Sequence, residues 1–297
     1  MELWVPITIA AAFFQNLRFM LQKQLKGELS TLGVTFARFV FAAPLAALLV
    51  VMLLVTGEDW PGLTSRFVGF ALVGALAQIV ATAMLVALFS LRNFAVGVIY
   101  SKTEVVMTAA LSAIVLAEPV SGGAFLAILV TAAGVMLMSK LPGRGKFYDG
   151  IFSRAAAIGI ASGMIFAMAS IGYRGASLAL ADGGFMIRAT VTLAFVTVSQ
   201  TIAMAVWLVW REPGQITKVF AARKVAVWVG VTGMLGSLGW FTAFTLMNAT
   251  YVKSLGQIEI LFTLLTSVFI FRERLRRIEV SGIILIVAGI LILLWVG

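Results

Sequence analysis

The 297-residue chain contains no cysteine and no histidine. The first absence excludes disulfides, thiol nucleophiles and iron–sulfur ligation, and the second removes His-ligated zinc and every Ser-His or Cys-His catalytic pair. Neither a metal nor a cofactor is expected. Charge is scarce as well: 12 Asp and Glu against 22 Lys and Arg make 11% of the chain, where a soluble domain carries about a quarter. The surplus of +10 would suggest nucleic acid in a soluble domain. Here the basic residues fall in short loops between apolar runs, where they set membrane orientation, and no nucleic-acid partner is expected.

What remains is apolar, at 62% of residues and a mean hydropathy of +1.08, so most of the surface is expected to meet lipid. Crossing ~30 Å of hydrocarbon takes ~20 helical residues. Ten runs approach or exceed that length, at 3–21, 32–55, 67–91, 94–116, 123–138, 151–173, 185–210, 225–247, 251–271 and 280–296. They are too long and too uniformly apolar for barrel strands. The start, Met1-Glu2-Leu3-Trp4, lacks a basic signal region, so the first run is expected to remain as a span. Residues 57–64, 141–149, 211–224 and 272–277 read as loops from their Pro, Gly and charge. Asn248-Ala249 and Arg92-Asn93 leave room only for tight hairpins.

A shift of 155 residues superposes spans three to five on spans eight to ten without a gap. It pairs Asn93 with Asn248, Glu104 with Glu259, Ser112 with Ser267, Glu118 with Glu273 and Gly134 with Gly289, while Arg38 corresponds to Arg188 at a shift of 150. Asn and Glu are too rare here for such matches to be cheap. The reading is two five-helix repeats, 1–140 and 151–297, joined by a cytoplasmic linker at 141–150. Five is odd, so the repeats run through the membrane in opposite senses, which is the architecture of secondary transporters. The fold class is therefore an all-α integral membrane protein, ten transmembrane helices arranged as two inverted repeats around a central cavity.

Each repeat holds a Glu fourteen residues ahead of a second Glu and then a glycine-containing last helix: Thr103-Glu104-Val105-Val106 to Ala117-Glu118-Pro119, and Ile258-Glu259-Ile260-Leu261 to Arg272-Glu273-Arg274. In this the chain resembles the drug/metabolite transporter superfamily, specifically its ten-helix EamA-type exporters, and is most similar to the YddG-type aromatic amino-acid exporters. Such families often show Glu-Pro-Val at the first of these positions; this sequence departs from that with Glu-Val-Val and Glu-Ile-Leu. The resemblance implies a cavity surrounded by the first, third, fourth, eighth and ninth spans. Small four-helix relatives extrude cationic drugs with a glutamate in the first helix, whereas the first and sixth spans here hold no acid.

A charge at the bilayer centre costs a few kcal/mol, so polar groups inside spans face protein or a water-filled cavity. The candidates for lining a substrate cavity are Gln15, Asn16, Gln78, Tyr100, Trp240 and Tyr251, neutral or aromatic and on the spans named by the resemblance. Trp240 stands out because it lies deep in its span beside small residues; the tryptophans nearer span ends suit the interfacial belt. Arg18, Lys102 and Lys253 lie within reach of span ends and could snorkel. Arg38 and Arg188, near span starts and related by the repeat, suit bonds to loop carbonyls of their own half.

Glu104 and Glu259 admit two readings. Either they are bonded to neighbouring helix ends or to Arg38 and Arg188 and hold each half rigid, or one of them takes up a coupled proton, since desolvation raises a carboxyl pKa. The glycines at 230, 233, 236 and 239 and the small residues at 159, 162, 163, 167 and 170 suit close helix packing. No HExxH, paired intramembrane Asp or Ser-His pair supports a membrane enzyme. The expected function is a monomeric secondary transporter of the inner (plasma) membrane, exporting small amphipathic metabolites, above all amino acids with aromatic or apolar side chains. Drug-like or lipid-linked molecules are the alternative cargo.

The odd-numbered loops hold fifteen Lys and Arg, the even-numbered ones Arg66 alone, which places odd loops in the cytoplasm and both termini outside. Single cysteines introduced at Gly145 and Gly297 should react with an impermeant maleimide in intact cells only at position 297. Labelling at position 145 alone would reverse the orientation.

Overall fold

The computed structural model describes residues 2–87, 101–138, 154–180, 182–269 and 277–296. The described residues form helices α1 (Trp4–Leu25), α2 (Thr31–Val55), α3 (Ser65–Ala87), α4 (Glu104–Val115), α5 (Gly122–Met138), α6 (Arg154–Ala179), α7 (Phe185–Arg211), α8 (Gln215–Ala221), α9 (Arg223–Leu246), α10 (Ala249–Leu255), α11 (Glu259–Phe269) and α12 (Arg277–Val296), with a 3₁₀ turn at Gly256–Ile258 between α10 and α11. Among them α1, α2, α3, α6, α7 and α9 contain stretches long and apolar enough to cross a membrane, and α4, α5 and α12 are shorter apolar helices. The expected Tyr100, Arg92-Asn93 hairpin and 141–149 loop lie outside the described residues.

The chain divides into two compact units, each taking residues from both sides of 141–150. Unit one comprises Met1–Leu76 and Gly172–Met247, unit two Ala77–Ile171 and Asn248–Gly297.

In unit one α9 packs against α1, α2 and α7, and α2 against α7. The glycines of α9 make this possible. A β-carbon at Gly230 would lie 2.3 Å from Phe41 Cβ, and one at Gly239 would lie 2.8 Å from Ala11 Cβ and 3.3 Å from the Ile7 carbonyl oxygen. α2 begins at Ser30, whose hydroxyl accepts from the Gly33 amide at 3.0 Å and donates to Glu212 at the end of α7 at 2.5 Å. Hydroxyls buried along these helices satisfy themselves locally: Thr8, Thr35, Thr192, Thr232 and Thr245 each donate to the carbonyl four residues back. Arg174, buried in α6, donates from Nη1 to the carbonyls of Phe244 and Met247 at 2.6 and 2.7 Å, closing the C-terminal end of α9.

Two departures from the sequence reading have plain causes. The expected loop at 211–224 contains α8, entered through Gly214 at φ +85° and seated on α2 and α7 by buried Gln215 and Val219, with Phe220 edge-on to Phe41. The expected spans 94–116 and 251–271 are not continuous. A turn at residues 102–103 precedes α4, and the 3₁₀ turn precedes α11. Glu104 and Glu259 are thus the first residues of helices rather than interior ones, where the positive end of the helix dipole favours a carboxylate. The helices break here without proline. Part of the cost is met locally, since the Gln257 amide donates to the Lys253 carbonyl at 3.4 Å.

In unit two α5 and α12 lie together along their lengths. A β-carbon on Gly134 of α5 would stand 2.8 Å from the Gly282 carbonyl oxygen and the Ile286 amide of α12; one on Gly289 of α12 would stand 2.8 Å from the Ala127 carbonyl oxygen and the Thr131 amide of α5. Backbone cannot retreat as a flexible side chain can. Gly134→Ala and Gly289→Ala should each lower the unfolding free energy by about 1–3 kcal/mol, read as a fall in melting temperature in detergent; an unchanged Gly134→Ala protein would show that the two helices can part at no cost.

Candidate functional site

Among the described residues, each unit holds a cluster of polar side chains, and the clusters differ in kind.

In unit two, each helix break carries a carboxylate, and each carboxylate meets a lysine. Lys102, in the turn before α4, is paired with Glu259, and Lys253 of α10 is paired with Glu104 at 2.8 Å. The pairing is crossed: each ion pair joins a residue before 141 to one after 150. Side-chain exposures are 25% and 15% for Lys102 and Glu259, and 19% and 10% for Lys253 and Glu104. At such burial an unpartnered charge is costly, so removing either member strands the other.

Lys102 and Lys253 therefore do not simply snorkel, and the partners shown for Glu104 and Glu259 are lysines rather than the arginines considered from sequence. The reason is positional. Lys102, in the turn before α4, and Lys253, in α10 just ahead of the 3₁₀ turn, each stand beside the opposite break.

The surroundings hold that geometry. Gly163 of α6 backs onto the first break, where a β-carbon would lie 2.9 Å from the Ser101 carbonyl oxygen and 3.3 Å from the Glu104 amide. Ser162 beside it donates to the Ala81 carbonyl at 3.0 Å. Asn248 caps α10 by accepting from the Thr250 amide at 2.8 Å, donates to the Glu118 carbonyl at 3.0 Å and accepts from Ser112 at 3.1 Å, tying the start of α10 to the end of α4. Tyr251 is buried in the first turn of α10, and Gln78 is half-buried on α3. A cavity of about 210 Å³ lies between Lys102, Thr103 and Val106 and the α5 residues Leu129, Ala132 and Met136.

Unit one contains the second cluster. Arg38 of α2 donates from Nη2 to Ser237 of α9 at 3.1 Å, a side-chain hydroxyl and not the loop carbonyl expected for it. Arg18 of α1 is 3% exposed. The two arginines meet at Gly233, where a β-carbon would be 3.1 Å from Arg38 Cγ and 3.5 Å from Arg18 Cδ. Two turns on, Trp240 donates from Nε1 to Gln15 at 3.0 Å and stacks on Phe244 with ring centroids 6.1 Å apart and planes at 27°. Trp240, Gln15 and Asn16 are half-buried, as is Arg188 in the first turn of α7. Gln200, by contrast, is buried and bonded to the Ala75 carbonyl and Tyr173, a packing role.

Sequence reasoning passed over Ser237, Arg174 and Asn248 as interacting residues. Nothing local marks Ser237 or Arg174; the hairpin position and repeat match of Asn248 were the available signal for a cap.

A model of the EamA-like transporter family matches residues 2–140 and 154–295. The chain belongs to the EamA-like transporter family. No curated protein matches it. Among solved structures 28 chains match; one, described only as "Crystal structure of protein", is similar at a TM-score of 0.71 and 15% identity over 97% of this chain and 95% of its own. That likeness is one of fold. As an EamA-like transporter the protein is a multi-pass membrane protein that moves small molecules, in a family of transporters and not of enzymes.

Glu104→Gln should lower the unfolding free energy of this EamA-like transporter by about 3 kcal/mol, by leaving Lys253 uncompensated. Adding Lys253→Met should restore part of the loss. A Glu104→Gln protein of unchanged melting temperature would show that the pair does not hold the fold.

Proposed function

We propose that this EamA-like transporter is a secondary exporter of small amphipathic metabolites, above all amino acids with aromatic or apolar side chains, in the inner membrane. In this reading the five-helix repeats 1–140 and 151–297 are inverted about the membrane plane, with 141–150 in the cytoplasm and both termini outside. They exchange conformations around a central cavity.

The observation that carries the reading is the crossed pairing of Lys102 with Glu259 and Lys253 with Glu104 at two helix breaks. Discontinuous helices with charges at their ends are the devices by which inverted-repeat transporters combine a membrane interior with polar chemistry. The contacts that tie the first repeat to the second are also reciprocal, for Gly134 abuts the backbone around Gly289's helix as Gly289 abuts that around Gly134's. Pairs of this kind give two states of similar energy when one is exchanged for the other. The family match, at residues 2–140 and 154–295, falls on either side of the proposed linker.

The ion pairs serve here as clamps and not as carriers of a coupled proton. Each pair joins the part of the chain before 141 to the part after 150. Cargo contacts are assigned to Asn16, Gln78, Tyr100, Trp240 and Tyr251, with Arg38 and Arg188 as further charges. Trp240 is the leading member, because its ring is half-exposed, has its N–H directed to Gln15 and offers a flat apolar face. Transport works with the protein as a monomer.

Purified protein in liposomes should exchange aromatic amino acids. Trp240→Ala should shift the preference away from them by about tenfold while the protein still accumulates. Glu104→Gln should depress exchange at equal pH and gradient-driven transport together. Loss of gradient-driven transport alone would reassign Glu104 to proton coupling, and transport of every cargo untouched by Trp240→Ala would make Trp240 a packing residue.

A further inference from the structure

The cavity between the turn at residues 102–103 and α5 has a second compartment. A smaller space of about 10 Å³ adjoins it across Lys102 and Ala132, which line both, and is lined also by Thr131 of α5 and by Gln257 of the 3₁₀ turn. All of these residues belong to unit two. Gln257 is 4% exposed. Its amide nitrogen donates to the Lys253 carbonyl at 3.4 Å, which marks the other end of the amide as the carbonyl oxygen, and that oxygen accepts no hydrogen bond among the described residues. A buried acceptor without a donor is costly, and this one lines a space with room for one water-sized group.

The polar groups of the small compartment define what enters it. Lys102 brings an ammonium with three donors, of which Glu259 takes one. Gln257 offers its carbonyl oxygen. Thr131 has already given its proton to the Ala127 carbonyl at 2.9 Å, so its hydroxyl can only accept. One donor and two acceptors together select a group that both accepts and donates. A hydroxyl does so. An ether or a ketone has nothing to give Gln257, a carboxylate would set its charge against two acceptors, and a second ammonium would face Lys102.

The larger compartment is apolar, walled by Val106, Leu129, Ala132 and Met136, and about 210 Å³ in volume. An apolar cavity of about 150 Å³ stays dry and takes a benzene-sized guest, whereas drug-sized ligands need about 300 Å³ or more. Leu129 and Met136 are exposed, so the rim is apolar too and a guest arriving from hydrocarbon meets no charged barrier there.

We propose that the two compartments form a binding site for compact apolar alcohols and phenols, with the hydroxyl between Lys102 and Gln257 and the apolar body among Val106, Leu129 and Met136. The guest donates to Gln257 Oε1 and accepts from the Lys102 ammonium. It thereby joins the turn before α4 to the 3₁₀ turn and favours the Lys102–Glu259 pairing. None of the cargo contacts assigned above takes part, so the site stands or falls apart from the exporter reading.

The test titrates full-length protein in detergent micelles with para-fluorophenol, para-fluoroanisole and para-fluorotoluene, reading saturable binding by fluorine NMR. The probes differ in one substituent, a hydroxyl, a methyl ether or a methyl, and simple partition into micelles does not saturate. The phenol should bind about tenfold more tightly than either of the others. Gln257→Met, which keeps the length of the side chain but not its oxygen, should bring the phenol down to their level. Ala132→Leu, which fills the space, should remove saturable binding of every probe. The comparison of probes in the unaltered protein needs no variant to fold. Absence of saturable binding leaves the small compartment to water alone and overturns the site; so do equal affinities for the probes, a preference undiminished in Gln257→Met, or binding undiminished in Ala132→Leu.

Discussion

Removing a charge from water into a hydrocarbon environment is the constraint around which this molecule is arranged. Glu104 and Glu259 occupy helix starts, where the helix dipole already favours negative charge, and each is then matched by a lysine. Breaks, carboxylates and lysines explain one another. The crossed arrangement adds a second consequence: the parts of the chain before and after 141–150 are joined by the same bonds that neutralise the charge.

Apolar packing provides the frame for those bonds. Glycine allows backbones to meet where lipid gives helices little reason to associate, and here it is placed at contacts and not scattered. Gly163 admits α6 to the backbone of the first break, Gly134 and Gly289 admit α5 and α12 to each other, and the α9 glycines admit α1 and α2. Hydroxyls of Thr8, Thr35, Thr192 and Thr232 return to their own helices, while other polar side chains bond between helices. Arg174 illustrates one such use, holding the last carbonyls of α9 where the helix ladder has run out.

The membrane character, the positions of the six long apolar helices among the described residues and the EamA-type resemblance were legible in the amino-acid string. They depend on composition and on run length, which are local, and on a repeat of rare residue types that survives as letters. Glu104 and Glu259, both ion-paired in the structure, stood out for the same reason. Their partners were not. Lys102 and Glu259 stand 157 positions apart, and Lys253 corresponds at the repeat shift to Val98, so no internal symmetry pointed to either pair.

By itself the sequence determined that the chain is helical, that it lives in lipid and that ionisable side chains inside its spans are few enough for each to matter, because hydropathy and residue scarcity are properties of the string. Only the tertiary structure decided that the helices break ahead of both glutamates without a proline, that each glutamate takes the lysine of the other part of the chain, and that Arg18 and Arg38 converge on one glycine. Those are matters of which atoms come within a few ångströms after the chain has turned back on itself. The free energy of a charge in a low-dielectric interior depends on that proximity and not on the order of residues.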